Sequence, residues 1–110
     1  MKPAPDCRIV VVTAPDRRTA RKLARLALEQ RSAACVNLIP RVESQYWWQG
    51  KLEKSAEVLM FFKTTKRRLG ALERLVLENH PYDTAEFVAL TPGAVTERYL
   101  KWWQAEVEVK

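Results

Sequence analysis

The donors this chain could offer a soft metal ion are one histidine, His80, and two cysteines, Cys7 and Cys35. Imidazole and thiolate suit copper or zinc, and such a centre needs three or four ligands in a defined geometry. No close His/Cys pair occurs, so a complete centre within one chain is not expected. His80 and Cys35 become metal candidates only if a symmetric assembly gathers copies of them. A second group, Lys63, Tyr82 and Glu86, combines a cation, a phenol and a carboxylate that could orient a small ligand or act as acid and base. The plainer reading of this trio is an intersubunit salt bridge with a satisfied tyrosine hydroxyl. Trp47 and Trp48 could stack on a ligand, although adjacent tryptophans at a strand end more often anchor an interface. The plainer reading of His80 is a helix-terminus ring bonded to a backbone carbonyl, and that of Cys35 a small buried hydrophobe. The three glycines, Gly50, Gly70 and Gly93, fit turns or a helix start rather than a phosphate loop. No nucleophile arrangement can be read from the spacing, so no catalytic residue is assigned.

The element that must position these groups runs from Cys35 to Lys63 and reads as one long β-hairpin. In its first arm Ala34, Val36, Leu38, Val42, Tyr46 and Trp48 share one parity, which predicts a single buried face. In the second arm Leu52, Ala56, Val58, Met60 and Phe62 repeat the period. Gln49-Gly50 joins the arms with the positive φ a tight turn needs. The first arm is about twice the usual strand length of five to six residues. An edge that long, ending in Tyr46-Trp47-Trp48, would leave backbone groups and rings in water, so further copies of the chain are expected to cover it.

Before the hairpin, Arg8 to Thr13 is a β-branched apolar run expected in the middle of a sheet. Asp16 is placed to cap a helix from Arg17 to about Arg31 with Ala20, Leu23, Ala24 and Ala27 on its buried side. After the hairpin, Thr64 or Thr65 is placed to cap a second helix buried through Leu69, Leu72, Leu75 and Val76, ended by Asn79-His80-Pro81. Glu86 to Leu90 reads as a fourth strand and Ala94 to about Val107 as a terminal helix. The order β-α-β-β-α-β predicts an α+β ferredoxin-like sandwich with the first and third strands central and the long arm at an edge.

At 110 residues with 47% apolar and 29% charged content the chain is expected to form a single domain over 1–110, with residues 1–7 fraying. Two cysteines make no disulfide framework, which favours a reducing, cytoplasmic location. No apolar run approaches the roughly twenty residues that span a bilayer. The net charge of +6 could attract polyanions, but the basic residues recur on amphipathic helices where solvated faces are usual. A single-stranded nucleic-acid-binding module is the alternative function. It is disfavoured because no glycine-aromatic pattern marks the central strands.

Several segments together resemble the CutA divalent-cation-tolerance family: Thr13 to Asp16, Ala33 to Pro40, Tyr46 to Glu53, Glu57-Val58, Lys63 to Thr65, His80 to Glu86 and Tyr99 to Trp102. The resemblance covers about Ile9 to Trp103. It implies a homotrimer similar in plan to the PII signalling proteins and a link to tolerance of copper and other divalent metals. It implies no firmly assigned enzymatic activity, with ligand sites in clefts between subunits. The copper ligands it implies are a cysteine late in the first strand and two histidines before the Pro-Tyr pair. Here those positions hold Val12, Asn79 and His80, so one of the three is retained.

Overall fold

The computed structural model describes residues 1–108. The expected single-domain span of 1–110 therefore includes Val109 and Lys110, which lie outside the described residues. The elements in chain order are β1 (Lys2–Pro3), β2 (Cys7–Ala14), α1 (Arg17–Glu29), β3 (Cys35–Trp48), β4 (Lys51–Thr65), a 3-10 turn (Lys66–Arg68), α2 (Leu69–Asn79), β5 (Val88–Leu90), β6 (Ala94–Val95) and α3 (Glu97–Glu106). The main sheet has the order β3-β4-β2-β5, so the first and third long strands are central and the long first arm is an edge, as the sequence predicts.

All neighbouring strands of this sheet are antiparallel, and the register divides their side chains cleanly between two faces. Val10, Val12, Ala14, Val58, Met60 and Phe62 point to one face, where Ala20, Leu23, Ala24 and Ala27 of α1 and Leu72, Leu75 and Val76 of α2 close the main core. The helix stripes are spaced at three and four residues, so each helix buries one side and leaves the other in water. The opposite face carries Ile9, Val11, Leu59, Phe61, Val88 and Leu90 by the same register. α3 covers only its far end, where Trp103 and Val107 pack with Ala4 and Cys7 in a second small core.

That second core corrects two expectations. Residues 1–7 do not fray: Lys2 and Pro3 pair with Val95 and Ala94, and Ala4 and Cys7 are buried beneath Trp103. The segment from Ala94 does not begin as a helix either, because Ala94–Val95 is needed as the partner of β1, and α3 starts at Glu97. Asp16 caps α1 as expected, its carboxylate accepting from the Thr19 N–H at 2.8 Å. Neither Thr64 nor Thr65 caps α2. β4 runs on through both, and the buried Thr64 hydroxyl donates to the Ser32 carbonyl at 2.7 Å instead.

The hairpin turn is as expected, with φ of 49° at Gln49 and 78° at Gly50, the two positive values of a type I′ turn. The parity of the first arm is not. Ile39 pairs with Leu59 but Val42 pairs with Glu57, so β3 gains one residue between them. Arg41 takes φ of 62° in this bulge. Beyond it the side chains exchange faces. Val36 and Leu38 pair with Phe62 and Met60 on the helix side, whereas Val42, Tyr46 and Trp48 stand on the opposite face and Trp47 pairs with Leu52 on the helix side. The ribbon extends past the helices and gives the molecule its 44 Å long axis. Its tip is uncovered, with Trp47 71% and Leu52 69% exposed.

Candidate functional site

Where β2 gives way to α1, the chain from α2 to β5 folds back and places His80, Tyr82 and Glu86 near the bulged part of the hairpin. His80 follows the last residue of α2, and its backbone is extended, as the proline after it favours. Its Nε2 lies 2.7 Å from the Thr13 carbonyl, which can only accept, so Nε2 carries the proton. The Tyr82 N–H donates to Nδ1 at 3.1 Å. Nε2 thus joins the end of α2 to the end of β2 while Nδ1 holds the loop that follows, and the ring also packs 4.7 Å from that of Tyr82. A metal ion could bind here only by displacing one of these bonds.

Tyr82 reaches the hairpin. Its hydroxyl donates to Glu57 Oε2 at 2.8 Å, and Glu57 is itself only 7% exposed. Burial, then this carboxylate, holds the Tyr82 hydroxyl well above the usual phenol range. Burial also raises the Glu86 carboxyl, and the negative charge of Glu57 adds to the effect. Glu57 is therefore the residue that unites this end of the site. The sequence places it in a family segment and on the polar side of a strand, without a site role. The available signal was a carboxylate standing where the alternation meets the sheet's apolar centre.

Lys63 does not join this group within one subunit. It lies on the same face of β4 as Glu57 but six residues away, about 20 Å at the rise of a strand. There its ammonium donates to the Tyr99 hydroxyl at 2.9 Å and sits 5.2 Å from the centre of that ring. Cys35 pairs with Lys63 at this end, half-buried, with its Sγ 3.9 Å from Asn37 Oδ1. Trp47 and Trp48 are at the distal tip, away from both groups and on opposite faces of the ribbon. The five cleft residues and the two metal candidates thus occupy three separate places along the hairpin. Among the described residues no three His, Cys, Asp or Glu side chains are grouped so as to hold a metal ion.

What links the three places is the open face of the sheet. Val88, Leu90 and Ile39 stand on it 47%, 49% and 43% exposed, beside the half-buried Val11, Leu59 and Phe61. Such a row is larger and more continuous than the isolated apolar residues of an ordinary surface. A ferredoxin-like α+β subunit with two helices on one face, a bare apolar second face and a projecting ribbon is the class of protein this architecture defines.

The comparisons with known proteins narrow that class. The model of the CutA1 divalent ion tolerance protein family matches residues 8–106. The chain belongs to this family. It is 40% identical over 106 residues to the divalent-cation tolerance protein CutA of Pectobacterium atrosepticum, covering 96% of each. It is 45% identical over 91 residues to protein CutA of Mus musculus, covering 83% of this chain and 51% of the mouse protein. The chain thus spans about half the length of the mouse, rice and human relatives it matches. Among solved structures, CutA1 from Oryza sativa superposes with a TM-score of 0.91 at 36% identity, covering 97% of this chain and 98% of that one. CutA from Synechococcus elongatus superposes with the same TM-score at 35% identity, covering 96% and 94%.

Proposed function

We propose that this chain acts as a divalent-cation tolerance protein in the form of a homotrimer, binding a divalent metal ion such as copper, or a small ligand, in clefts between subunits. It works by binding rather than by catalysis, in a manner similar to PII-type signalling. The observation that carries this reading is the bare apolar face formed by Val11, Leu59, Phe61, Val88, Leu90 and Ile39. Burying such a face against sister copies gains roughly 25 cal/mol for each Å² removed from water. Assembly also offers cover to Tyr46 and Trp48, which the bulge turns to that same face.

Clefts shared between subunits suit the separation of the polar groups. Lys63 and Tyr99 at one end, and Glu57, Tyr82 and Glu86 at the other, are too far apart to act on one small molecule within a subunit, but copies of the two groups can meet across an interface. Binding rather than catalysis is supported by the engagement of the His80 nitrogens and the Tyr82 hydroxyl in bonds that hold the fold. The unpaired cysteines Cys7 and Cys35 support a reducing, cytoplasmic location. Relatives named as chloroplastic and a structural neighbour named as periplasmic mark other compartments in which family members are found.

Sedimentation equilibrium tests the assembly directly: a mass three times that of the chain is expected, and a monomer at micromolar concentration overturns the reading. Calorimetric titration of the metal-free trimer with copper and zinc tests the ligand. Saturable binding that weakens on Glu57→Gln places the ion in the cleft, and no heat with either metal leaves the small-ligand branch to be tested with a nucleotide panel.

A further inference from the structure

The outer face of α1 carries Arg17, Arg18, Arg21, Lys22 and Arg25, five cations within nine residues, and no acid lies between Asp16 and Glu29. All five are exposed. At about 100° per residue they fall within an arc of roughly 140°, centred opposite the stripe of Ala20, Leu23, Ala24 and Ala27 that enters the core. Among the described residues, Arg25 alone of the five forms a salt bridge, with Glu29 at 3.8 Å, and both of those side chains are largely in water. Such a pair contributes little and is screened by salt. The other basic groups near the far end of the helix are occupied differently: Arg31 bonds Glu106 at 2.6 Å, and Arg68 donates to the Gln30 and Arg31 carbonyls.

We propose that this stripe is a binding surface for the phosphodiester backbone of double-stranded nucleic acid. Four of the five cations are arginines, whose planar forks match phosphate oxygens two at a time. Arg17, Arg21 and Arg25 recur at four-residue spacing and form a straight row about 12 Å long on a rigid helix, flanked by Arg18 and Lys22. The apolar side of α1 is closed in the core, so the helix cannot lie in a bilayer interface as a membrane-bound amphipathic helix does. α1 also stands on the sheet face opposite the bare apolar one. The contact is therefore independent of the trimer, and assembly would only multiply it by presenting three stripes. The surface differs from the strand aromatics that a single-strand binder needs, and it reads backbone charge rather than sequence.

Fluorescence anisotropy with a labelled 30-base-pair DNA duplex, across a series of salt concentrations, tests this on the full chain. Affinity is expected to fall roughly 10²- to 10³-fold between 50 and 200 mM salt, as about five phosphate contacts require. Arg21→Glu/Lys22→Glu should abolish measurable binding, and Arg21→Ala/Lys22→Ala should lower the salt slope by about two. Lys66→Glu/Arg67→Glu makes the same change in net charge on an exposed turn near the opposite end of α1 and should retain most of the affinity. Equal losses in the two reversed variants would show that net charge alone is responsible and would overturn the proposal. So would absence of duplex binding at 50 mM salt, or binding to anionic phospholipid vesicles without binding to the duplex. Circular dichroism and sedimentation of each variant confirm that the fold and assembly persist.

Discussion

The two faces of the main sheet are built from the same four strands and have opposite fates. One is closed by α1 and α2 over side chains such as Val10, Met60 and Phe62, none of which is exposed. The other presents Val11, Leu59, Phe61, Val88 and Leu90, and among the described residues α3 covers it at one end alone. Strand residues of equal hydrophobicity thus serve two purposes. The first face gives the subunit its own stability, and the second supplies the surface through which copies are proposed to meet. Glu57 and Lys63 both stand on the second face.

Substitutions on the two faces should therefore separate assembly from folding. The largest effect is expected from Val88→Asp, which sets an unpaired carboxylate in the proposed interface. The trimer should give way to folded monomer across the micromolar range in sedimentation velocity, and an unchanged mass would remove this face from the interface. Phe62→Ala on the closed face should act in the other sense. It should lower subunit stability by about 3–5 kcal/mol through lost burial and a cavity, read by denaturant unfolding. Tyr82→Phe removes the hydrogen bond to the buried Glu57 and is expected to cost about 1–3 kcal/mol in the same measurement. A loss near zero would mean that water replaces the phenol freely.

The smallest effect concerns pH. Glu86 binds its proton more tightly in the folded chain than in the unfolded one, chiefly through burial and secondarily through Glu57. Its contribution is thus most favourable below the ordinary glutamate value of about 4.3 and is lost as pH rises through the raised folded value. Glu86→Gln should flatten that part of the stability profile and raise the melting temperature slightly at neutral pH. A profile with the same slope in both proteins would show that Glu86 is not the group responsible.

The sequence revealed what depends on repetition and missed what depends on single residues. Strand order, both core helices and the Gln49-Gly50 turn follow from periodicity and one glycine. The family segments place the chain from about Ile9 to Trp103. The exchange of faces in β3 was hidden because its left-handed residue is Arg41, not a glycine, and the one available signal was Pro40, which within a strand marks either an edge or a bulge. Cys7 was assigned to a loose end because its cover, Trp103, lies 96 residues further along. The site residues were grouped by chemical type, yet Lys63 and Tyr82 stand apart because six positions on a strand are a long distance. Glu57, which accepts from Tyr82 and whose charge acts on Glu86, stood in a family segment but was given no role.

The extra residue at Arg41 also has an engineering consequence. Which ring of the Tyr46-Trp47-Trp48 cluster stands on which side is decided by its pairing with β4, Tyr46 with Glu53, Trp47 with Leu52 and Trp48 with Lys51, not by the identity of the rings. Excising Arg41 would set Ile39 and Val42 two positions apart, as Leu59 and Glu57 already are, and so would remove the bulge while keeping every distal pair, Trp47 with Leu52 included. The deletion would thus straighten the ribbon locally, with the same rings on the same sides and the subunit core left intact.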